Sequence, residues 1–248
     1  VAIGLLPLIA LLTAALSAII GMGGGTLLLA ALFCFMTHAE AIPTHAAVQL
    51  ISNSTRTAAF FRYVHWPTVG RFLIGVIPGG ILGVTLLALL GQPGRSDPFF
   101  KMIVGAYILA SLIIPKPSAA RKTGTWWDFP LLGLVAGAAA FTVGAIGPLI
   151  APLFVRRDFV KQRLVATKAL CQTLLHIAKI PAFLLLRSYD DLASLGLITL
   201  LMATAVIPGT LLGRRALRHV SEVNFVRIYK LALLAAGLKI LIVDGLLG

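Results

Sequence analysis

The chain has 248 residues, 59% of them hydrophobic and 12% charged, with a mean hydropathy of +0.99. No soluble fold can cover so apolar a composition with a polar surface, and apolar runs of the roughly 20 residues needed for a bilayer span recur along the whole length. The net charge of +13 lies mainly in short connections between these runs; that is the positive-inside pattern, without the interleaved aromatic and basic residues of a nucleic-acid platform.

The composition therefore predicts one all-α polytopic membrane domain over residues 1–248, with the lipid bilayer as partner and no nucleic acid. Cys34 and Cys171 both fall in apolar runs and offer neither a disulfide framework nor a metal-ligand spacing. No cofactor and no metal is expected. The sequence starts at Val1 rather than Met, which predicts a trimmed chain with any targeting segment missing.

In chain order, the first element is the apolar stretch 2–36, interrupted by "GMGGG". Each glycine there weakens a helix by about 1 kcal/mol relative to alanine, so Gly21, Gly23, Gly24 and Gly25 predict a break. Three spans follow near 44–63, 72–90 and 99–114. After a basic connection at 116–128 comes a second interrupted stretch, 129–155, broken at "GAIGP" with Gly144, Gly147 and Pro148. Three more spans are predicted near 164–186, 192–213 and 223–243.

The landmarks repeat in the same order. "VIPGGILG" at 76–83 matches "VIPGTLLG" at 206–213 in six of eight positions. Gly21 and Gly24 match Gly144 and Gly147, Asn53 matches Gln172, and "FFKMIVGAYILAS" from Phe99 corresponds to "FVRIYKLALLAAG" from Phe225. The chain thus reads as two repeats, 1–115 and 129–248, joined by a cytoplasmic linker at 116–128.

Charge orients the halves. Basic clusters at Arg62 with Arg71, at Lys116, Arg121 and Lys122, at Arg156, Arg157, Lys161 and Arg163, and at Arg214, Arg215 and Arg218 are assigned to the cytoplasm. Both ends of 129–155 are then inside, so its 27 residues form a hairpin. Each arm is about 20 Å long, short of the roughly 30 Å hydrocarbon core, so the arms re-enter or form a short broken pair. A hairpin plus three spans per half inverts one half relative to the other, the plan of many secondary transporters. Non-helical backbone at depth is tolerated where it lines a cavity, and the free N–H groups and positive helix ends at the two tips would attract an anion. Close helix packing is the alternative role for these glycines.

All eight acidic residues lie in connections or near an end, which argues against a carboxylate relay or a carboxylate cation site. Polar and basic residues behave otherwise. Gln49, Asn53, Arg56 and Thr57 share one helical face, and Lys168, Gln172, His176 and Lys179 form a second stripe with Cys171 beside it. A basic residue at the bilayer centre costs about 2.5 to 3.5 kcal/mol, so these stripes point to a negative ligand. Snorkelling of Arg56, Lys168 and Lys179 to an interface is the alternative. The proline and glycine of the two "VIPG" segments read as packing seams, with Thr210 a secondary candidate for ligand contact.

"GMGGGTLLLAAL", followed by "AAVQLISNSTRTAAFFRYVHW" and a weaker second copy, resembles the TauE/SafE (TSUP) family of membrane anion transporters over essentially the whole chain. The resemblance implies a multi-pass carrier of the bacterial cytoplasmic (inner) membrane that moves sulfite, thiosulfate or an organosulfonate. In the reading from residues, Gly23, Gly24, Thr26 and Gly147 donate backbone N–H groups, Arg56 and Lys168 supply charge, and Asn53, Gln172 and His176 supply directed hydrogen bonds. The rival classes are an anion channel and a proton-coupled importer, for which His176 would carry the proton. No nucleophile and base, metal cluster or paired carboxylates support an enzyme. Homo-oligomerisation is open.

Overall fold

The computed structural model describes residues 3–20, 23–90, 96–113, 125–156, 159, 161–185, 192–216, 230–231 and 233–247, and among these every regular element is a helix, with no strand. The first apolar stretch is two helices, α1 (Leu6–Ile20) and α2 (Gly24–Leu32), and the second is likewise α6 (Asp128–Thr142) and α7 (Gly147–Arg156). Both stretches break where the glycines predict. Gly23 has φ 92° and Gly144 has φ 81°, a left-handed backbone that costs a residue with a Cβ about 1–2 kcal/mol. Gly21 lies outside the described residues.

The predicted spans appear as α3 (His38–Ala59), α4 (Trp66–Leu90), α5 (Ser96–Ile113), α8 (Lys161–Leu185) and α9 (Leu192–Ala216). Helix α3 starts six residues earlier than its apolar run. Glu40 explains this, because its carboxylate accepts from both the Thr37 N–H (2.8 Å) and the Thr37 hydroxyl (2.9 Å) and so stabilises the exposed helix start. The last predicted span is helical over 233–238 and continues as a π-helix, Lys239–Leu246. Its wider turn brings residues five apart together, and Lys239 pairs with Asp244 at 2.7 Å.

Among the described residues, two helices are long and apolar enough to cross a membrane, over Trp66–Leu89 and Gly196–Ala216. Their outward faces carry Ile74, Ile77, Ile81 and Leu89 on α4 and Leu197, Leu200 and Leu201 on α9, all exposed. Such faces suit lipid rather than water. By contrast α3 and α8, which carry the polar stripes, pack against each other and are flanked by α9 and α4 respectively. The polar helices are inside and the apolar ones outside.

The helix neighbours cross between the halves. Helix α1 lies along α9, α6 lies along α4, and α5 lies along the C-terminal helix. Both cross-packed seams are lined by the repeated glycines. A Cβ on Gly79 would stand 2.2 Å from the Leu134 carbonyl oxygen, and one on Gly209 would stand 2.3 Å from that of Leu11. The expectation that "VIPGGILG" and "VIPGTLLG" are packing seams accords with these contacts. The next glycines, Gly83 and Gly213, meet Ala138 and Ala15 in the same way.

Candidate functional site

Where α2 and α7 begin, their N-termini converge on one small cavity. It is lined by Ser17 of α1, by Gly23, Gly25 and Thr26 of the first tip, by Ala145, Ile146 and Gly147 of the second, and by polar side chains of α3 and α8. In α2 the first intrahelical bond is Leu27 N–H to Gly23 O, and in α7 it is Ile150 N–H to Ile146 O. The N–H groups of Gly24, Gly25 and Thr26 at one tip, and of Gly147 and Leu149 at the other, therefore precede the helical ladder. Pro148 has no N–H to add, so the second tip is the poorer donor.

From α3 come His45, Gln49, Asn53 and Arg56, and from α8 come Lys168, Gln172 and His176. Within the first group, Gln49, Asn53 and Arg56 form a hydrogen-bonded chain along one helix face. Arg56 donates through its two terminal nitrogens to Asn53 Oδ1 (3.2 Å) and Ser52 Oγ (3.2 Å), and Asn53 Nδ2 donates to Gln49 Oε1 at 3.4 Å. The guanidinium is thereby aimed, while its Nε is buried without a partner. Arg56, Lys168 and Lys179 are 2%, 1% and 0% exposed, so their heads do not snorkel. Among the described residues no Asp or Glu lines the cavity.

Buried cations without carboxylates are costly unless something else balances them. Here two helix N-termini, themselves positive, face the same space and add to the imbalance. Such an arrangement favours an anion over a cation. The cavity volume is about 10 Å³, room for about one water and too little for an oxyanion with four or five heavy atoms. Thr26 Oγ1, His45 Nδ1 and His176 Nδ1 are also buried without partners there.

The remaining candidates lie beside the cavity. Lys179 donates to the Gly144 carbonyl at 3.2 Å, which braces the left-handed turn before α7. Gly24 packs on α1, where a Cβ would stand 2.0 Å from the Thr13 carbonyl oxygen. Thr57 turns its hydroxyl back onto the Asn53 carbonyl at 2.8 Å. Cys171 is fully buried in the apolar core, one helical position behind Gln172. Thr210 is buried in α9 and is not among the lining residues, nor is Pro148.

Two lining residues with polar side chains, His45 and Ser17, escaped the sequence reading, as did the apolar Ala145 and Ile146 of the second tip. His45 sits four residues before Gln49, so the helical periodicity that defines the stripe extends to it; its place near the start of the predicted span hid it. Ser17 had only a hydroxyl in an apolar helix as its signal.

Among the described residues, the fold and the cavity define an all-helical membrane protein with a buried cationic centre that no carboxylate lines. The family model described as Sulfite exporter TauE/SafE matches residues 6–240, and the chain belongs to that family of membrane transporters. No curated protein and no solved structure matches the chain.

Proposed function

We propose that this protein carries a small sulfur-containing anion, sulfite, thiosulfate or an organosulfonate, across the bacterial cytoplasmic membrane by alternating access. The observation that carries the reading is the convergence of both helix N-termini with Arg56 and Lys168 on one cavity that no described carboxylate lines. The anion would sit between the tips, held by the N–H groups of Gly24, Gly25, Thr26 and Gly147, with Gln49, Asn53, Gln172 and His176 directing its oxygens. Lys179 and Gly144 would shape the second tip rather than touch the ligand.

The repeats 1–115 and 129–248 would be inverted copies. Two features support this. Helix neighbours map onto one another when the halves are exchanged, α1 with α9 becoming α6 with α4. The seam partners Leu11 and Leu134, and Ala15 and Ala138, fall in the same register as Gly24 and Gly147. A cavity too small for its anion favours a carrier, because the halves must part to admit the ligand and close to expel it. With the interior negative, the membrane potential favours exit of net negative charge by about 2.3 kcal/mol per charge per 100 mV.

Flux in proteoliposomes tests this. Sulfite, thiosulfate and methanesulfonate are compared with sulfate and chloride, with a valinomycin potential of either sign. Saturable transport of at least one of the first three, abolished in R56Q/K168Q, is expected. Transport unchanged by that double substitution would remove the site, and single-channel currents would replace the carrier by a channel.

A further inference from the structure

His45 is placed in the cavity in a way that the roles above leave unused. Its Nε2 lies 2.9 Å from the Gly25 carbonyl oxygen. A carbonyl oxygen can only accept, so Nε2 carries a hydrogen, and in the neutral ring Nδ1 is then a bare lone pair. That Nδ1 is buried without a partner, and the ring lines the cavity. A bare lone pair facing a negative ligand repels it. One proton on Nδ1 reverses this, since the imidazolium donates from both nitrogens, to Gly25 O on one side and to an anion oxygen on the other.

The surroundings favour adding that proton only together with the anion. From α8, His176 meets the ring edge-on at 5.9 Å between centroids, and Lys179 exerts its charge on the ring. Arg56, on the same helix as His45, and Lys168 share the cavity. The cavity residues of α1 and of the two tips are Ser17, Gly23, Gly25, Thr26, Ala145, Ile146 and Gly147, none of which titrates through its side chain. A further positive charge has nothing to balance it until a negative ligand enters. His176 differs in one respect: among the described residues no carbonyl contact fixes its tautomer, so it can present an N–H to the anion without gaining a proton.

We infer that His45 is a proton-binding element of the anion site, so that the ligand of the closed cavity is an anion and proton together rather than a bare anion. The inference rests on the anion-carrier reading. The proton comes from the buffered solution or from the acid O–H of the anion itself: the donor's bond to hydrogen breaks as the Nδ1–H bond forms, and no other bond changes. Gly25 is thereby more than a place for close approach, because its carbonyl selects the tautomer.

Titration calorimetry on the full-length protein in nanodiscs decides this, with methanesulfonate, thiosulfate and sulfite as probes. Runs at one pH are compared in two buffers of different ionisation heat that are themselves neither sulfonates nor phosphates. Methanesulfonate and thiosulfate hold no proton near neutrality, so any uptake with them belongs to the protein. The wild type is expected to take up about one proton per anion, with Kd weakening about tenfold per unit rise in pH. H45Q should bind with no uptake and a flat pH profile, and H176Q should keep the uptake. Binding without proton uptake by the wild type overturns the inference alone, as does uptake that survives H45Q. Failure of all three anions to bind overturns the anion-carrier reading and this inference with it. The wild-type comparison requires no variant, so a misfolded H45Q leaves the decision there.

Discussion

Alanine at the paired seam glycines probes the cross-packing of the halves directly. A Cβ on Gly79 would stand 2.2 Å from the Leu134 carbonyl oxygen and 2.9 Å from its Cα, while one on Gly209 would stand 2.3 Å from the Leu11 carbonyl oxygen and 3.0 Å from its Cα. Ordinary contact begins near 3.4 Å, so each methyl is about 1 Å too close to backbone that no rotamer change can move. The helices must separate by a comparable distance, and a gap of 0.5–1 Å already forfeits about a quarter to a half of each dispersion contact along the seam. Overpacking of this kind costs about 1–3 kcal/mol, against which alanine returns up to about 1 kcal/mol of helix propensity. Gly80 is the control on the same helix, because its nearest neighbour would be Phe141 Cε2 at 3.9 Å. Thermal midpoints in detergent, read by fluorescence-detected gel filtration, should fall in G79A and in G209A by similar amounts, about 2–4 °C for each kcal/mol lost in a chain of this length. G80A should hold or rise. If G79A and G209A melt with G80A, the seams are not close-packed, and if only one of them falls, the two seams are not equivalent.

Further outcomes follow from the site and its supports. Gly144→Ala combines a φ of 81° with a Cβ 2.6 Å from Ile42 Cδ1 and should cost about 1–3 kcal/mol; adding Ile42→Val should relieve only the steric part, read as a partial return of the thermal midpoint. Gly25→Ala presses a methyl to 3.2 Å from the flexible Gln49 amide, so the fold should stay within about 1 kcal/mol of wild type while anion flux falls at least about tenfold; unchanged flux would show that the cavity wall is not part of the path. His65, in the connection between α3 and α4, is held below the ordinary histidine range by burial and then by the charges of Arg163 and Arg71. Its unfolded form therefore binds the extra proton, and its contribution to stability, complete above about pH 6.5, should be lost as pH falls through that value. His65→Gln should flatten that part of the midpoint-versus-pH curve, and an unaltered curve would place the titration elsewhere.

Much of the helical order is legible in the sequence because it rests on local physics. Glycines that cannot hold a helix mark the breaks before α2 and α7, and the 3.6-residue period places Gln49, Asn53 and Arg56 on one face whatever the tertiary packing. Helix α3 began early because a single carboxylate, Glu40, extends it beyond its apolar run, a local effect that hydropathy does not register. What periodicity cannot give is depth and direction. Lys179 shares the stripe of Lys168 and Gln172 yet reaches a backbone carbonyl at the second tip, and Cys171 turns into apolar core one position away from a cavity residue. His45 required knowing that α2 would come to rest with its Gly25 carbonyl against that ring, a contact between segments 20 residues apart that no pattern within either one announces.

The crossed packing of α1 on α9 and of α6 on α4 bears on ancestry as well as on stability. On the proposed reading of the halves as inverted copies, either one severed from the other would be left with a naked glycine groove and a lone helix seeking one like it, which is the self-complementary arrangement from which a twofold pair assembles. A duplicated gene whose products once met as separate chains would need only a tether to become this molecule, and co-expressing the two pieces should still yield it.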